Sequence, residues 1–177
     1  MRDTMCRMLL KPAQPEDALA VALVHVRSWQ AAYRGLISQT FLDQLRPEDR
    51  ALRYDFSHAD PAKPYTIVAI EGGAIVGFAT TMPSRDEGMQ ESGELCALYV
   101  DPDSWNRGIG RALIRAARTH LFRQGFRQAL LWVLAGNERA ERFYRLDLWS
   151  PDGVQRIETK WGLELHDVRF LRRLNEV

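Results

Sequence analysis

A chain of 177 residues with 46% hydrophobic content is the size of one compact domain around a single core, and one domain over residues 1–177 is expected. A formal net charge of +1 argues against a nucleic-acid partner, and the longest apolar runs, Ala18 to Val26 broken by His25 and Ala129 to Ala135, are too short to cross a bilayer, so no membrane partner is expected. Arg2 and Arg7 precede no apolar h-region before Lys11 and Pro12, so no signal peptide is read and a cytoplasmic location is expected.

Met8-Leu9-Leu10 is a short strand candidate. Pro15, Glu16 and Asp17 then suit a helix entry, because Pro fits a first turn and carboxylates favour the positive end of the dipole. Leu19, Leu23, Val26, Trp29 and Ala32 recur every three or four residues and predict a helix that stops at Gly35. Shorter helices are expected over Ser38 to Leu45 and Pro47 to Tyr54, followed by a loop from His58 to Pro64. From Tyr65 the period becomes that of strands. Tyr65 to Glu71, the turn Gly72-Gly73, and Ala74 to Met82 predict a hairpin.

After a polar connection from Pro83 to Gly93, Glu94 to Val100 predicts a strand, Arg111 to Gln124 a helix ended by Gly125, and Gln128 to Leu134 another strand. Asn137 is placed as the N-cap of a helix from Glu138 to about Leu146, and Gln155 to Leu174 predicts two strands around Gly162. An initial helix, an antiparallel meander and one β-α-β unit together indicate an α+β fold with a mixed, mostly antiparallel central sheet flanked by helices.

Between the strand ending at Val100 and its helix lies Asp101-Pro102-Asp103-Ser104-Trp105-Asn106-Arg107-Gly108-Ile109-Gly110-Arg111. A glycine-lined approach to a helix start presents unpartnered N–H groups and the positive dipole end, a site for an anion such as a phosphate. Without a Cβ at Gly108 or Gly110, a ligand oxygen is expected to approach the backbone closely. No Asp or Glu occurs from Ser104 to Asn137, whereas Arg107, Arg111, Arg115, Arg118, Arg123 and Arg127 all do, so positive field concentrates on this loop and helix. Arg107 and Arg111 are near enough to touch a ligand. Arg111, Arg115 and Arg118 also read as a solvated helix face, with Arg123 and Arg127 toward water. The spacing has neither the third glycine of a dinucleotide fingerprint nor the Gly-Lys-Ser/Thr of a P-loop, which disfavours NAD and ATP.

Cys6 and Cys96 are too few and too far apart for a disulfide framework, and Cys96, within an apolar strand, reads as a small buried side chain. Four scattered histidines, His25, His58, His120 and His166, show no ligand spacing, so no metal is expected.

Two separated motifs resemble the GCN5-related N-acetyltransferase (GNAT) superfamily. One is Trp105-Asn106-Arg107-Gly108-Ile109-Gly110 after the strand ending Tyr99-Val100-Asp101-Pro102; the other is Trp132-Val133-Leu134 followed by Asn137, Arg139-Ala140 and Phe143-Tyr144. Trp105 stands where the family usually has Gln or Arg, and Asp147 where a Gly often follows the Phe-Tyr helix. The resemblance implies the acyl-CoA N-acyltransferase fold and direct acetyl transfer from acetyl-CoA to a primary amine, with no metal. The acceptor is expected to be a small molecule; a protein N-terminus, a lysine, or a catalytically silent acetyl-CoA-binding module are the alternatives.

By the same resemblance, Trp105, Asn106, Arg107, Gly108, Ile109, Gly110 and Arg111 hold the pyrophosphate. Leu98, Tyr99 and Val100 line the pantetheine arm on a strand that splays from its neighbour at a bulge and supplies an oxyanion-binding N–H. Asn137 contacts the pantetheine as well as capping its helix. Tyr144 protonates the departing thiolate, with Phe143 as its packing neighbour. Glu94 takes a proton from the amine through water, or is simply a solvated glutamate at a strand start, with Glu91 the next candidate. The segment from Val26 to Gly35 borders the acceptor, and Trp29 and Tyr33, four apart on one helix face, read equally as substrate contacts or as a buried aromatic pair. The apolar C-terminal strands are a candidate homodimer interface.

Overall fold

The computed structural model describes residues 8–160 and 162–175. Cys6, Arg2 and Arg7 lie outside the described residues. Seven strands form one sheet in the order β1-β2-β3-β4-β5-β7-β6. They are β1 (Leu9–Pro12), β2 (Tyr65–Glu71), β3 (Ala74–Pro83), β4 (Gly93–Val100), β5 (Gln128–Leu134), β6 (Ser150–Lys160) and β7 (Leu163–Arg173). Every neighbouring pair is antiparallel except β4 and β5, which are joined through a helix and run parallel. The mixed, mostly antiparallel α+β arrangement expected from the order of elements is the one observed.

Helices cover both faces. On one lie α1 (Ala18–Ala32), α2 (Gln39–Gln44) and α3 (Pro47–Ala51), where Val21 and Val24 pack on Val68 and Phe78. On the other lie α4 (Ile109–Arg123) and α5 (Glu138–Leu146). There Ile109, Leu113, Ile114, Ala117 and Leu121 form one buried stripe against Ile67, Ala79, Leu95, Leu131 and Phe170. This is the expected amphipathic helix, but one of its arginines departs from the solvated face: Arg118 turns inward to Asp147, with Nε–Oδ2 at 3.0 Å. Arg127, beyond the helix, is exposed as expected and lies over the Phe122 ring.

Asp147, the residue where a glycine was anticipated, is a junction. Its carboxylate accepts from Arg118 Nη2 (3.2 Å) and Trp149 Nε1 (3.0 Å) and ion-pairs with Arg172 of β7 (3.1 Å), tying α4, the end of α5 and the sheet together. The left-handed residue of that turn is Leu148 (φ 63°), one position later, so Asp147 itself needs no glycine. The last hairpin begins earlier than expected. Pro151, Asp152 and Gly153 read as turn formers, yet they form an irregularity inside β6, where pairing with β7 shifts register between Pro151 and Gln155.

Asp147→Ala leaves two largely buried guanidinium groups without their shared carboxylate. It should cost about 3 kcal/mol of stability, read by urea unfolding, whereas Asp147→Asn should cost less.

Candidate functional site

The sheet opens at its centre. β5 pairs with β4 only at Gly93↔Ala129 and Glu94↔Leu130, yet it pairs with β7 along its whole length. β4 stays on β3, with one irregularity: Thr80 faces Ala97 and Thr81 faces Leu95, so Cys96 is an extra, bulged residue. A bulge bends and twists its strand, and beyond it β4 and β5 part into a V-shaped cleft.

Strand alternation decides which groups face this cleft. Asp101 N–H donates to Val76 O on the β3 side, so Tyr99 N–H points the same way and the N–H groups of Leu98 and Val100 point into the opening. The expected trio therefore divides. Leu98 and Val100 offer backbone, whereas Tyr99 offers its side chain. Val100 O, on the open side, accepts from Ser28 Oγ (2.9 Å) and Trp105 Nε1 (2.7 Å). Trp105 thus has a structural task of its own, and its ring carries the Arg139 guanidinium 3.3 Å from the ring centroid. Arg27 adds ion pairs to Asp101 and Asp103, both 2.7 Å, and fixes α1 to the end of β4.

The glycine loop runs from there into α4. Asn106 (φ 62°) and Gly108 (φ 81°) are left-handed, and Gly108 is the N-cap. No side chain caps α4, and its first turn has no acidic residue, so the N–H groups of Ile109, Gly110 and Arg111 keep their capacity for an anion. Gly108 needs its positive φ, and a Cβ there would meet nothing within 4 Å. Gly110 is not simply an open approach: a Cβ on it would lie 3.3 Å from Phe143, so the missing side chain also lets α5 close over the first turn of α4.

Arg107 does not reach freely for a ligand either, since it pairs with Glu71 at 2.8 Å. Arg111 is exposed and has no ion-pair partner among the described residues.

Asn137 caps α5, its Oδ1 accepting from Ala140 N at 3.2 Å. Tyr144, two turns on, packs against Phe143 and Trp149. Its hydroxyl has no hydrogen-bond partner among the described residues, and burial, with a smaller effect of Tyr99, holds its pKa well above that of a free phenol. It is therefore a protonated donor at neutral pH.

On the α1 side the cleft widens into a cavity of ≈160 Å³. Its lining brings together Trp29 and Tyr33 of α1, as the sequence placed them, with Glu94 of β4. Trp29 is buried and meets Tyr33 edge-on, centroids 4.9 Å apart, so packing and lining are combined in one pair. Glu94 is not a solvated strand-start residue. It is 3% exposed and clasped by Arg85, Nη2 donating to Oε1 at 2.8 Å and Nε to Oε2 at 3.3 Å. Glu91, the reserve candidate, is exposed and does not line the cavity. Cys96 is inert as expected, its thiol pushed up to about 12 by burial.

Several lining residues escaped the sequence reading. They are His25 on α1, Arg85 on the β3–β4 loop, Arg156 on β6 and Asp167 on β7. His25 was detectable, being four residues before Trp29 on the same helix face; the others come from distant strands. His25 Nδ1 lies 2.7 Å from Tyr54 Oη, and burial, aided by Arg50, drives its pKa well below the ordinary 6.5, so the ring is neutral. Tyr33 and Tyr99 hydroxyls are 3.4 Å apart, and burial pushes both upward. Among the described residues no group of His, Cys, Asp or Glu side chains could hold a metal ion, and no helix is long and apolar enough to cross a membrane.

The sequence model of the acetyltransferase (GNAT) family matches residues 27–148. An uncharacterized N-acetyltransferase of Bacillus subtilis, YuaI, is 30% identical over 145 residues, covering 82% of this chain and 80% of that protein. A mycothiol acetyltransferase of Geodermatophilus obscurus is 38% identical over 99 residues, 55% of this chain and only 32% of that longer protein. Among solved structures, the PaiA N-acetyltransferase of Thermoplasma acidophilum in complex with coenzyme A superposes with a TM-score of 0.66 at 17% identity, covering 94% of this chain and 99% of that one. At that identity the shared feature is the fold.

Because His25 is held neutral in the fold, the unfolded chain binds the extra proton as pH falls below 6.5, so stability is full above that value and declines beneath it. Thermal melts between about pH 7 and about pH 5 should show this decline, and His25→Gln should flatten it.

Proposed function

Since this chain belongs to the acetyltransferase (GNAT) family and is an acyltransferase, we propose that it moves acetyl from acetyl-CoA directly to a primary amine of a small molecule. The observation that carries this reading is the parting of β4 from β5 beside the uncapped start of α4. Backbone N–H groups of Ile109, Gly110 and Arg111, with those of Asn106 to Gly108 before them, suit the pyrophosphate. The exposed Arg111 adds charge, and Arg107 contributes through its pairing with Glu71, which steadies the loop. Leu98 and Val100 then bond the pantetheine as an added strand would, with Asn137 on the opposite wall.

In the reaction the amine nitrogen forms a bond to the thioester carbon, whose oxygen becomes an oxyanion met by a β4 N–H; the C–S bond then breaks. Tyr144 supplies the proton that the leaving sulfur needs. The nitrogen gives up its protons toward Glu94, by way of water. Because Arg85 occupies both carboxylate oxygens, this role requires some yielding of that pair. The cavity of ≈160 Å³ is well below the ~300–1,000 Å³ usual for drug-sized ligands, so it suits a small acceptor group.

Calorimetric titration with acetyl-CoA, with ATP and NAD as controls, tests the first half of this reading; micromolar binding of acetyl-CoA alone is expected, and its absence would remove the cofactor assignment. Gly108→Asp should weaken that binding at least about tenfold, by placing a carboxylate beside the phosphates and a side chain at positive φ. Tyr144→Phe should leave the affinity unchanged and slow thiol release by about 10²-fold or more. A protein that binds acetyl-CoA yet acetylates no amine would be a silent binding module.

A further inference from the structure

The acceptor cavity is lined by three guanidinium groups, of Arg50, Arg85 and Arg156, against two carboxylates, of Glu94 and Asp167. His25 adds no charge, and Arg156 also pairs with Glu158 at 3.1 Å, so an entering amine meets no unpaired carboxylate in the lining. Each carboxylate is nearly buried and forked by its own arginine: Glu94 by Arg85, and Asp167 by Arg156 through Nε and Nη2, both at 3.3 Å. A guanidinium has five N–H donors in a planar fork. In Arg85 and Arg156 the forks use Nε and Nη2, and neither Nη1 donates to an acceptor among the described residues. Arg85 is also 61% exposed along its side chain, so it can turn without unpacking the core.

The aromatic part of the wall beside these pairs is held in place. Trp132 sits under Arg156, 4.1 Å from the ring centroid, and donates from Nε1 to Asp86, the residue after Arg85. Asp86 in turn accepts from Arg169 at 3.1 Å. The loop that presents Arg85 is therefore anchored on one side while the Arg85 head remains accessible.

Resting on the acetyltransferase reading above, we infer that the acceptor is a small α-amino acid and that Arg85 is the specificity-determining residue that binds its carboxylate. A polyamine would bring a second cation to a wall whose two carboxylates are already paired with arginines. An uncharged amine would take water from the Nη1 donors and return no acceptor. An amine with a carboxylate on the adjacent carbon satisfies both sides. Its carboxylate draws the Arg85 fork from Glu94, and Glu94, relieved of its partner, faces the ammonium. Trp29, Tyr33 and Trp132 enclose the side chain.

Acetylation rates for the proteinogenic L-amino acids should be compared with those for their carboxamides, which keep size and amine but lack the charge. A carboxamide's amine is the less basic and so more fully neutral at pH 7, which means that a preference for the acid reports recognition and not intrinsic reactivity. For at least one side chain, kcat/KM should favour the acid by about tenfold or more. Arg85→Gln should reduce that acid-to-amide ratio by about 10–100-fold, mostly through the KM of the acid. The ratio cancels any effect of the substitution on Glu94 that is common to both substrates. If Arg85→Gln does not fold, Arg85→Lys, which keeps the charge and loses the fork, should lower the same ratio. A wild-type preference for carboxamides, or a ratio indifferent to position 85, would overturn this inference and leave the acetyltransferase reading standing. No acetylation of either series, with another amine acetylated, would overturn this inference alone, whereas binding of acetyl-CoA with no amine acetylated would overturn both.

Discussion

The structure depends on where one parallel strand pair stops. Between β4 and β5 the hydrogen-bonded ladder lasts for two residue pairs and then ends, because Cys96 bulges out of β4 while β5 remains tied to β7. A sheet interior is normally the most saturated place in a fold, with nearly every backbone group paired. Here the centre of the sheet holds N–H groups aimed at open space, and the glycine loop, the starts of α4 and α5 and the cavity on the α1 side are all arranged around that opening.

Keeping the opening in shape is the work of ion pairs and caps at its rim. Arg27, Ser28 and Trp105 fasten the end of β4 to α1 and to the loop. Arg107 joins that loop to the β2–β3 hairpin through Glu71, and the Asp147 junction secures α4 and α5 to β7. These contacts span large separations in sequence. They hold rigid elements on either side of a gap that contributes no ladder of its own, which is why several arginines that resemble ligand contacts in the sequence are engaged in the frame.

The cavity beside the cleft shows the same economy of position. Its aromatic groups come from α1, β4 and β5, but its two buried carboxylates are matched by arginines from other segments, Glu94 of β4 by Arg85 of a loop and Asp167 of β7 by Arg156 of β6, each arginine with donors to spare. Buried charge is tolerable only when paired, and pairs with unfilled donors are suited to exchanging one partner for another.

Much of this was legible in the chain. The hydrophobic periods located the elements, and β5 and α5 lie where they were expected, because strand and helix periods and an Asn cap are local properties. The two motifs identified the family. Local signals could not reveal that Gly110 makes room for Phe143, that Arg107 and Arg118 are paired, that Glu94 is buried, or that Pro151 to Gly153 lie within a strand. Each of those depends on a partner brought close only by folding. Sequence spacing determines which backbone conformations and faces are available; tertiary packing alone decides which charges meet, because ion pairing and burial are set by distances between segments that the chain order does not encode.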